Sequence, residues 1–245
     1  MEEPKIIYED PDILVVDKPA GMVVNKADTT KNILTLQEWA EKYIKIEGVT
    51  DNNSEFARRG GVVHRLDKET SGILVLAKNE KSFTVLQAQF KNREVKKVYI
   101  TLCHGVVTTK DGEIDVPIGR LPWNRTRFGV LSEGRQAVTR YKILAIKYLA
   151  RNKSSEALSL IEVYPQTGRT HQIRVHMKYI NHPVFADALY AGRKTARLDR
   201  KLLQRQFLHA SEIMFKHPVT GANLVFKSPL PSDLEEFLGL LLNAE

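Results

Sequence analysis

The sequence is poor in residues that form disulfides and metal–thiolate centres. Cys103 is the single cysteine among 245 residues, which excludes an internal disulfide and a cysteine cluster for zinc. No apolar run approaches the roughly 18 residues of a membrane-spanning helix. The first residues, Met1 to Pro4, show neither a secretory apolar segment nor an Arg-rich transit pattern. We therefore expect a cytoplasmic protein that makes no membrane contact, with Cys103 as a packed thiol.

The sequence also lacks glycine-rich motifs that bind phosphates or dinucleotides. Its seven histidines include no pair at the four-residue spacing with which a helix chelates zinc, since His171 and His176 are five residues apart. His182 and His217 each precede a proline, as turn residues often do. We therefore expect no metal ion and no diffusible cofactor.

Positive charge is in excess and is concentrated in two segments. The net charge of +8 favours a polyanionic partner, while 42% hydrophobic and 27% charged residues are ordinary for a globular protein. Between Gly192 and Gln206 lie Arg193, Lys194, Arg197, Arg200, Lys201 and Arg205. A second segment interleaves aromatic residues with cations: Arg120, Trp123, Arg125, Arg127 and Phe128. Such segments suit stacking and phosphate contacts with unpaired RNA, and the alternative is a solvated loop whose aromatic residues pack inward.

Local patterns predict many strands with helices scattered among them, which is typical of an α+β domain. We predict one helix over 36–43, with Thr35 and Glu38 as a capping box, and a second that begins after an Asn79 N-cap. A third helix is predicted over 171–180 with Thr170 as its N-cap. The last begins at Ser232, which forms a capping box with Glu235. Strands are predicted over 98–103, 137–146 and 158–164, and residues 48–60 as a mobile loop.

The most informative segment runs from Val62 to Lys78 and reads VVHRLDKETSGILVLAK. It predicts two apolar strands joined by a polar turn that carries Arg65 and Asp67. A nearby cation favours the ionised carboxylate, which is a usable nucleophile or base. From these residues alone, both a structural Asp–Arg pair and a catalytic Asp67 are open, and the structural pair is the commoner case. His64 is expected to form hydrogen bonds rather than act as an acid or base.

The amino-acid sequence of this segment, HRLD followed by TSG and AK, closely resembles the signature of the RluA-type RNA pseudouridine synthases. Three further blocks resemble later motifs of that family, in the same order. They are KKVY at 96–99, GRTHQIRVH at 168–176, and FLHA at 207–210 with HPVTG and SPLP after it.

The resemblance implies a pseudouridine synthase fold, a long bent, mainly antiparallel sheet flanked by helices and loops. It implies that Asp67 is the catalytic residue, that Tyr99 and Leu208 pack on the two faces of the uracil, and that Arg169 pairs with Asp67. Arg65 is expected to occupy the space that a flipped-out uridine leaves. We expect one catalytic domain over residues 1–245, with no N-terminal S4 domain and with residues 1–5 as a flexible tail.

The function that follows is isomerisation of specific uridines to pseudouridine in ribosomal RNA, transfer RNA or both. The expected partner is a structured RNA stem-loop rather than DNA, bound by a monomer. One alternative is a catalytically silent RNA-binding protein or RNA chaperone of the same fold. A weaker alternative is a nucleoside hydrolase or glycosidase, which would release the free base. The presence of Asp67, Tyr99 and Arg169 favours the enzyme, because a pure binding protein needs only the basic surface.

Overall fold

The computed structural model describes residues 2–27, 30, 33–44, 54–151 and 154–243. Within them the chain forms twelve strands and six helices. In chain order these are β1 (Lys5–Glu9), β2 (Ile13–Lys18), α1 (Leu36–Ile44), α2 (Glu55–Arg59), β3 (Ser71–Ala77), α3 (Glu80–Lys91), β4 (Lys96–His104), β5 (Asp111–Asp115), β6 (Ile118–Arg120), β7 (Phe128–Val130), β8 (Val138–Arg151), β9 (Ser154–Pro165), α4 (Gln172–Tyr179), α5 (Arg193–Asp199), β10 (Leu208–Lys216), β11 (Asn223–Lys227), α6 (Ser232–Gly239) and β12 (Leu242–Asn243). No helix among the described residues is both long and apolar enough to cross a membrane.

The chain folds into two compact units. Unit 1 comprises Met1–Lys96 and Glu212–Ser228, and unit 2 comprises Lys97–Ser211 and Pro229–Glu245. Strand β10 therefore begins in unit 2 and ends in unit 1. Lys5, which the sequence analysis placed in a tail, is the first residue of β1.

Unit 1 contains the antiparallel strands β1, β2 and β3 and the antiparallel pair of β11 with residues 212–216 of β10. All seven residues of β3 are buried, as expected for a strand that is covered on both faces. Phe56 of α2 and Phe83 and Leu86 of α3 pack in the core of this unit. The predicted N-cap of α3 is confirmed, because the Asn79 side chain accepts the Ser82 N–H at 2.9 Å.

Helix α1 starts with the predicted capping box. The Thr35 backbone N–H donates to Glu38 Oε2 at 2.9 Å, and the Glu38 N–H donates to Thr35 Oγ1 at 3.2 Å. The predicted loop over 48–60 is wrong in its second half, where α2 forms with Ser54 as N-cap and Gly60 as a left-handed C-cap at φ 56°. Residues 48–53 lie outside the described residues.

Unit 2 is built on the long antiparallel pair of β8 and β9, with β4 beside β9 and both β5 and β12 beside β8. Side chains of β4 alternate as predicted. Tyr99 and Cys103 pack in one apolar cluster, and Ile100 and Leu102 pack in another. Burial raises the pKa of the Cys103 thiol to about 12, so Cys103 is the packed thiol that the sequence predicted.

Strands β6 and β7 form a separate two-stranded hairpin in unit 2. Helix α6 begins at Ser232 as predicted, but its N-cap residue is Pro231 and no side chain caps it. The predicted Ser232–Glu235 capping box is therefore wrong. Antiparallel sheets with helices packed against them in both units confirm the α+β class.

Candidate active site

The turn that carries Asp67 is held against β3 by the residues that precede it. The Val75 N–H donates to His64 Nε2 at 3.0 Å, and the Ala77 N–H donates to the Gly61 carbonyl at 2.9 Å. A Cβ on Gly61, whose φ is 74°, would lie 2.2 Å from the Ala77 oxygen, so this close approach requires glycine. The His64 ring also stacks on Phe90. His64 thus forms structural hydrogen bonds, as predicted.

A buried lysine holds the turn from the other side. Lys18 Nζ donates to the carbonyls of Pro19, Met22 and Lys68 at 2.9, 3.0 and 3.3 Å. The Gly21 N–H donates to the same Lys68 carbonyl at 2.8 Å. A lysine with no exposed surface requires such partners, since an unsatisfied buried ammonium is costly. This role cannot be read from the sequence alone, where the one local signal is the Lys-Pro-Ala-Gly turn after an apolar strand.

Arg65 and Asp67 point away from the core of unit 1. Arg65 is exposed and Asp67 is half-buried, whereas Leu66 between them is only 5% exposed. The Asp67 carbonyl accepts the Thr70 N–H at 3.1 Å, which closes the turn. Its carboxylate therefore lies on a backbone that is fixed at both ends.

The other predicted site residues lie in unit 2. Tyr99 pairs with Val163 across β4 and β9 and packs in the same apolar cluster as Leu208. Leu208 is only 3% exposed, so it can offer a substrate no more than an edge. The structure thus brings Tyr99 and Leu208 together in one cluster and places Arg65 and Asp67 on one turn.

Arg169 lies in the turn before α4. Its backbone N–H donates to Gln172 Oε1 at 2.9 Å, and its Nε donates to the Gln136 carbonyl at 3.1 Å. Gln172 Nε2 in turn donates to the Val138 carbonyl and to Thr139 Oγ1, at 3.0 and 2.9 Å. The Gln172 side chain therefore fastens this turn to the start of β8, a role that the sequence analysis missed.

The predicted N-cap of α4 is wrong. His171, not Thr170, precedes the first helical residue, and its backbone is left-handed at φ 56° without a side-chain cap. A residue other than glycine is uncommon in this conformation, so we expect surrounding contacts to hold it.

Lys97 is a further residue that the sequence analysis did not single out. Burial lowers the pKa of its ammonium to about 8, because a low-dielectric environment disfavours the charged form. Its Nζ lies 3.5 Å from the Thr167 carbonyl, in the segment that leads to Arg169. Lys97 and Tyr99 are two residues apart on β4 and therefore share a face of the strand.

The cations of the 193–205 segment fall into two groups. Arg205 is buried and forms a two-fold contact with Asp233, Nε to Oδ2 at 2.5 Å and Nη2 to Oδ1 at 2.9 Å. Arg200 Nε donates to the Ala186 carbonyl at 3.1 Å. The expectation that Arg205 contacts phosphate is therefore wrong, because a carboxylate already occupies its guanidinium. Four other cations of this segment are exposed and form no ion pair in the described part of the chain: Arg193, Lys194, Arg197 and Lys201.

The two aromatic residues of the second basic segment differ in their exposure to solvent. Trp123, in the loop between β6 and β7, is 76% exposed. Phe128 packs inward, with its ring edge-on to His171 at 5.6 Å and the Arg120 guanidinium 4.8 Å from its centroid. The inward packing weighed from the sequence therefore holds for Phe128, whereas stacking of the exposed Trp123 on RNA stays a prediction.

Asp10, Asp12 and His217 form a cluster with the composition of a metal site. However, His217 Nδ1 accepts the N–H groups of Val219 and Thr220, so its Nε2 carries the proton that is donated to Asp10 at 2.9 Å. Burial would raise the pKa of Asp10, but hydrogen bonds from the Ile13 and Asp12 N–H groups and from side chains lower it. These hydrogen bonds account for the cluster without an ion.

The chain is similar to known proteins along most of its length. A family model described as RNA pseudouridylate synthase matches residues 12–179. A Bacillus subtilis (strain 168) protein, described as an uncharacterized RNA pseudouridine synthase, is 39% identical over 95% of this chain and 71% of its own length. A ribosomal large subunit pseudouridine synthase D of Pseudomonas aeruginosa is 38% identical over 98% of this chain and 72% of its own.

The corresponding protein of Neisseria meningitidis serogroup B is also 38% identical, and this chain spans 60% of its length. Among solved structures, human RNA pseudouridylate synthase domain containing 1 superposes with a TM-score of 0.74 at 26% identity. That match covers 99% of this chain and 89% of the human one. The expected pseudouridine synthase fold is thereby confirmed.

Proposed function

The chain belongs to the RNA pseudouridylate synthase family, and we propose that it isomerises specific uridines of ribosomal or transfer RNA with Asp67 as the catalytic residue. The general activity of the family is isomerisation of uridine to pseudouridine in RNA. The bond from C1′ to N1 breaks and a bond from C1′ to C5 forms. The proton leaves C5 and N1 gains one, so the reaction consumes nothing and transfers no electrons.

The observation that carries the proposal is the Val62–Lys78 signature, which lies inside the matched residues 12–179. Asp67 is its proposed catalytic carboxylate, and Lys18 and His64 support the backbone of its turn. Chemistry on a base requires the nucleotide to leave the stack, so the uridine is flipped into the site. A carboxylate on a rigid turn suits this task, because it loses little conformational freedom when substrate binds.

The remaining site residues take the roles that the motifs imply. Arg169 keeps Asp67 ionised and oriented, since a guanidinium favours the charged form of a carboxylate. Tyr99 packs on one face of the uracil and the exposed edge of Leu208 contacts the other, which is supported by their common apolar cluster. Arg65, exposed on the Asp67 turn, fills the space that the flipped nucleotide leaves.

RNA contacts outside the pocket are assigned to two surfaces of unit 2. One is the loop between β6 and β7, with Trp123 for stacking on an unpaired base. The other comprises the four exposed cations on and next to α5, which suit phosphates of a structured stem-loop. We propose that the protein binds such an RNA as a monomer in the cytoplasm.

The names of the Pseudomonas and Neisseria relatives favour large-subunit ribosomal RNA as the substrate. The test is to map pseudouridines in total RNA from cells without the gene, complemented by wild type, by Asp67→Asn or by the control Asp111→Asn. Asp111 is an exposed carboxylate on β5. We expect particular pseudouridines to return with wild type and Asp111→Asn but not with Asp67→Asn.

Purified Asp67→Asn should lose at least about 10³-fold in rate, or about 4 kcal/mol of barrier stabilisation, and keep its RNA affinity. A near-wild-type rate would refute the role of Asp67. If no pseudouridine depends on the gene while purified protein still binds RNA, the chain is the catalytically silent RNA-binding protein instead.

A further inference from the structure

The β6–β7 hairpin depends on the rest of unit 2 for its position. A two-stranded hairpin is marginally stable by itself. Ile118 of β6 is 3% exposed and packs with Ala137, Val175 and Tyr190, and Phe128 of β7 packs against the same cluster. The exposed Trp123 thus lies at the tip of an element whose base is buried.

Tyr190 joins this hairpin to the start of α4. Its hydroxyl oxygen accepts the backbone N–H of Phe128 at 3.0 Å and lies 2.8 Å from His171 Nδ1. Because the backbone N–H of Phe128 is the donor, the hydroxyl oxygen is the acceptor and its own proton is not used in that hydrogen bond. The His171 ring also packs edge-on against the rings of Phe128 and Tyr190, at 5.6 and 5.7 Å. His171 is two residues from Arg169, so these contacts hold the turn of Arg169.

The Tyr190 ring is itself held firmly. Asp187 Oδ1 accepts the Tyr190 backbone N–H at 3.1 Å. Both oxygens of this buried carboxylate bind Arg174 of α4, at 2.7 and 2.9 Å. The Arg174 guanidinium lies 5.0 Å from the centroid of the Tyr190 ring. The Tyr190 ring is therefore fixed in position, and its hydroxyl contacts both the hairpin and the N-cap residue of α4.

A second connection runs through the backbone. The Arg169 Nε donates to the Gln136 carbonyl, and the adjacent Arg135 exchanges two backbone hydrogen bonds of 2.9 Å with Ile118 of β6. Arg169 is thus connected to the base of the hairpin in two ways. Its side chain binds Gln136, and its backbone leads to His171, which contacts Tyr190.

We infer that Tyr190 is a positioning residue that couples RNA binding at the hairpin to the orientation of Arg169. The inference rests on the proposed function, which gives the hairpin to RNA and Arg169 to the catalytic carboxylate. RNA bound to the Trp123 loop reduces the motion of β7, whose Phe128 N–H binds the Tyr190 hydroxyl. The hydroxyl in turn holds His171 and the turn before it in position. Tyr190 acts without touching the substrate.

The first test compares Tyr190→Phe with the matched control Tyr179→Phe, which removes a hydroxyl from a 52% exposed tyrosine of α4. The assay is the single-turnover rate, at saturating protein, of tritium release from C5-labelled uridines in a large-subunit ribosomal RNA transcript. We expect Tyr190→Phe to lower this rate about tenfold and to change RNA affinity by less than about twofold. Tyr179→Phe should match wild type. An unchanged rate in folded Tyr190→Phe overturns the inference.

The second test is a double-mutant cycle with Trp123→Ala. In the wild-type background this change should lower both affinity and the saturating rate, whereas in Tyr190→Phe it should lower affinity alone. If the two reductions in rate multiply, the hairpin and Tyr190 act independently and the coupling is wrong.

Hydrogen exchange separates this inference from the proposed function, because it needs no turnover. Binding of the same transcript should slow exchange in residues 169–172 of wild type, and much less in Tyr190→Phe. If wild type is inactive but shows this protection, the proposed function fails and the coupling stands. If RNA protects the hairpin but not residues 169–172, the coupling fails, whatever the activity.

Discussion

His104 should make the stability of unit 2 depend on pH. Its ring lies between two carboxylates, with Nδ1 2.6 Å from Glu156 Oε1 and Nε2 3.0 Å from Asp199 Oδ2. Burial by itself would lower the pKa of His104, but the hydrogen bonds to Asp199 and Glu156 outweigh it and raise the pKa to about 9. The imidazolium therefore joins β4, β9 and the C-terminal end of α5.

The magnitude follows from linkage. A rise from 6.5 to about 9 corresponds to about 3 kcal/mol of stabilisation, at roughly 1.4 kcal/mol per pKa unit. Because the folded pKa is the higher one, this contribution is complete below the unfolded pKa and is lost as the pH rises towards the folded pKa. The free energy of unfolding should fall by about 2 kcal/mol between roughly pH 6 and pH 8 from this residue alone.

The assay is urea unfolding followed by far-UV circular dichroism at pH 6, 7 and 8, for wild type and His104→Gln. The difference between the two proteins cancels the contributions of titrating groups that do not contact residue 104. We expect it to be largest at pH 6 and to shrink by about 2 kcal/mol by pH 8. A difference that does not vary with pH would show that His104 is not an imidazolium in the folded protein, and the reasoning would be refuted.

Four further predictions concern catalysis, RNA binding and the Arg205 ion pair. Arg169→Lys should cut turnover at least about tenfold with a smaller loss of RNA affinity, because lysine lacks the two-fold guanidinium geometry; a loss of affinity alone would make Arg169 a mere phosphate contact. Replacing Arg197 and Lys201 by Gln should reduce the steepness of the plot of log affinity against log salt by about 1.4, at about 0.7 per phosphate contact on the unpaired strand of the stem-loop. Arg205→Gln should leave that slope unchanged and lower stability, since Arg205 pairs with Asp233. EDTA should leave the rate on prefolded RNA undiminished, and strict dependence on a divalent ion would contradict the proposed chemistry.

Short-range features of this protein could be predicted from the sequence because their partners are close along the chain. The Thr35–Glu38 capping box and the Asn79 cap each join residues three apart, and both form as predicted. The alternation of β4 followed from the two-residue period of a strand. The family and its general activity followed from the Val62–Lys78 signature, since an uninterrupted run of matching residues is specific.

The roles of the charged side chains were decided only by tertiary structure. Arg205 and Lys201 look alike in the sequence, but Asp233, 28 residues further on, occupies Arg205 and leaves Lys201 exposed. From the sequence, Lys18 is only a lysine at a turn. In the fold it supports the Asp67 turn, because its ammonium donates to the Lys68 carbonyl.

The turn that carries Arg169 was also decided by tertiary structure. The motif predicted a cap at Thr170, because hydroxyl residues favour helix starts. The fold instead holds His171 in a left-handed conformation with the Tyr190 hydroxyl, which comes from 19 residues further along the chain. Local preference determines which residues can start a helix, whereas contacts that are distant in sequence determine which one does. The sequence by itself therefore determined the family and several of the helices and strands, and the tertiary structure decided what holds the proposed site residues in place.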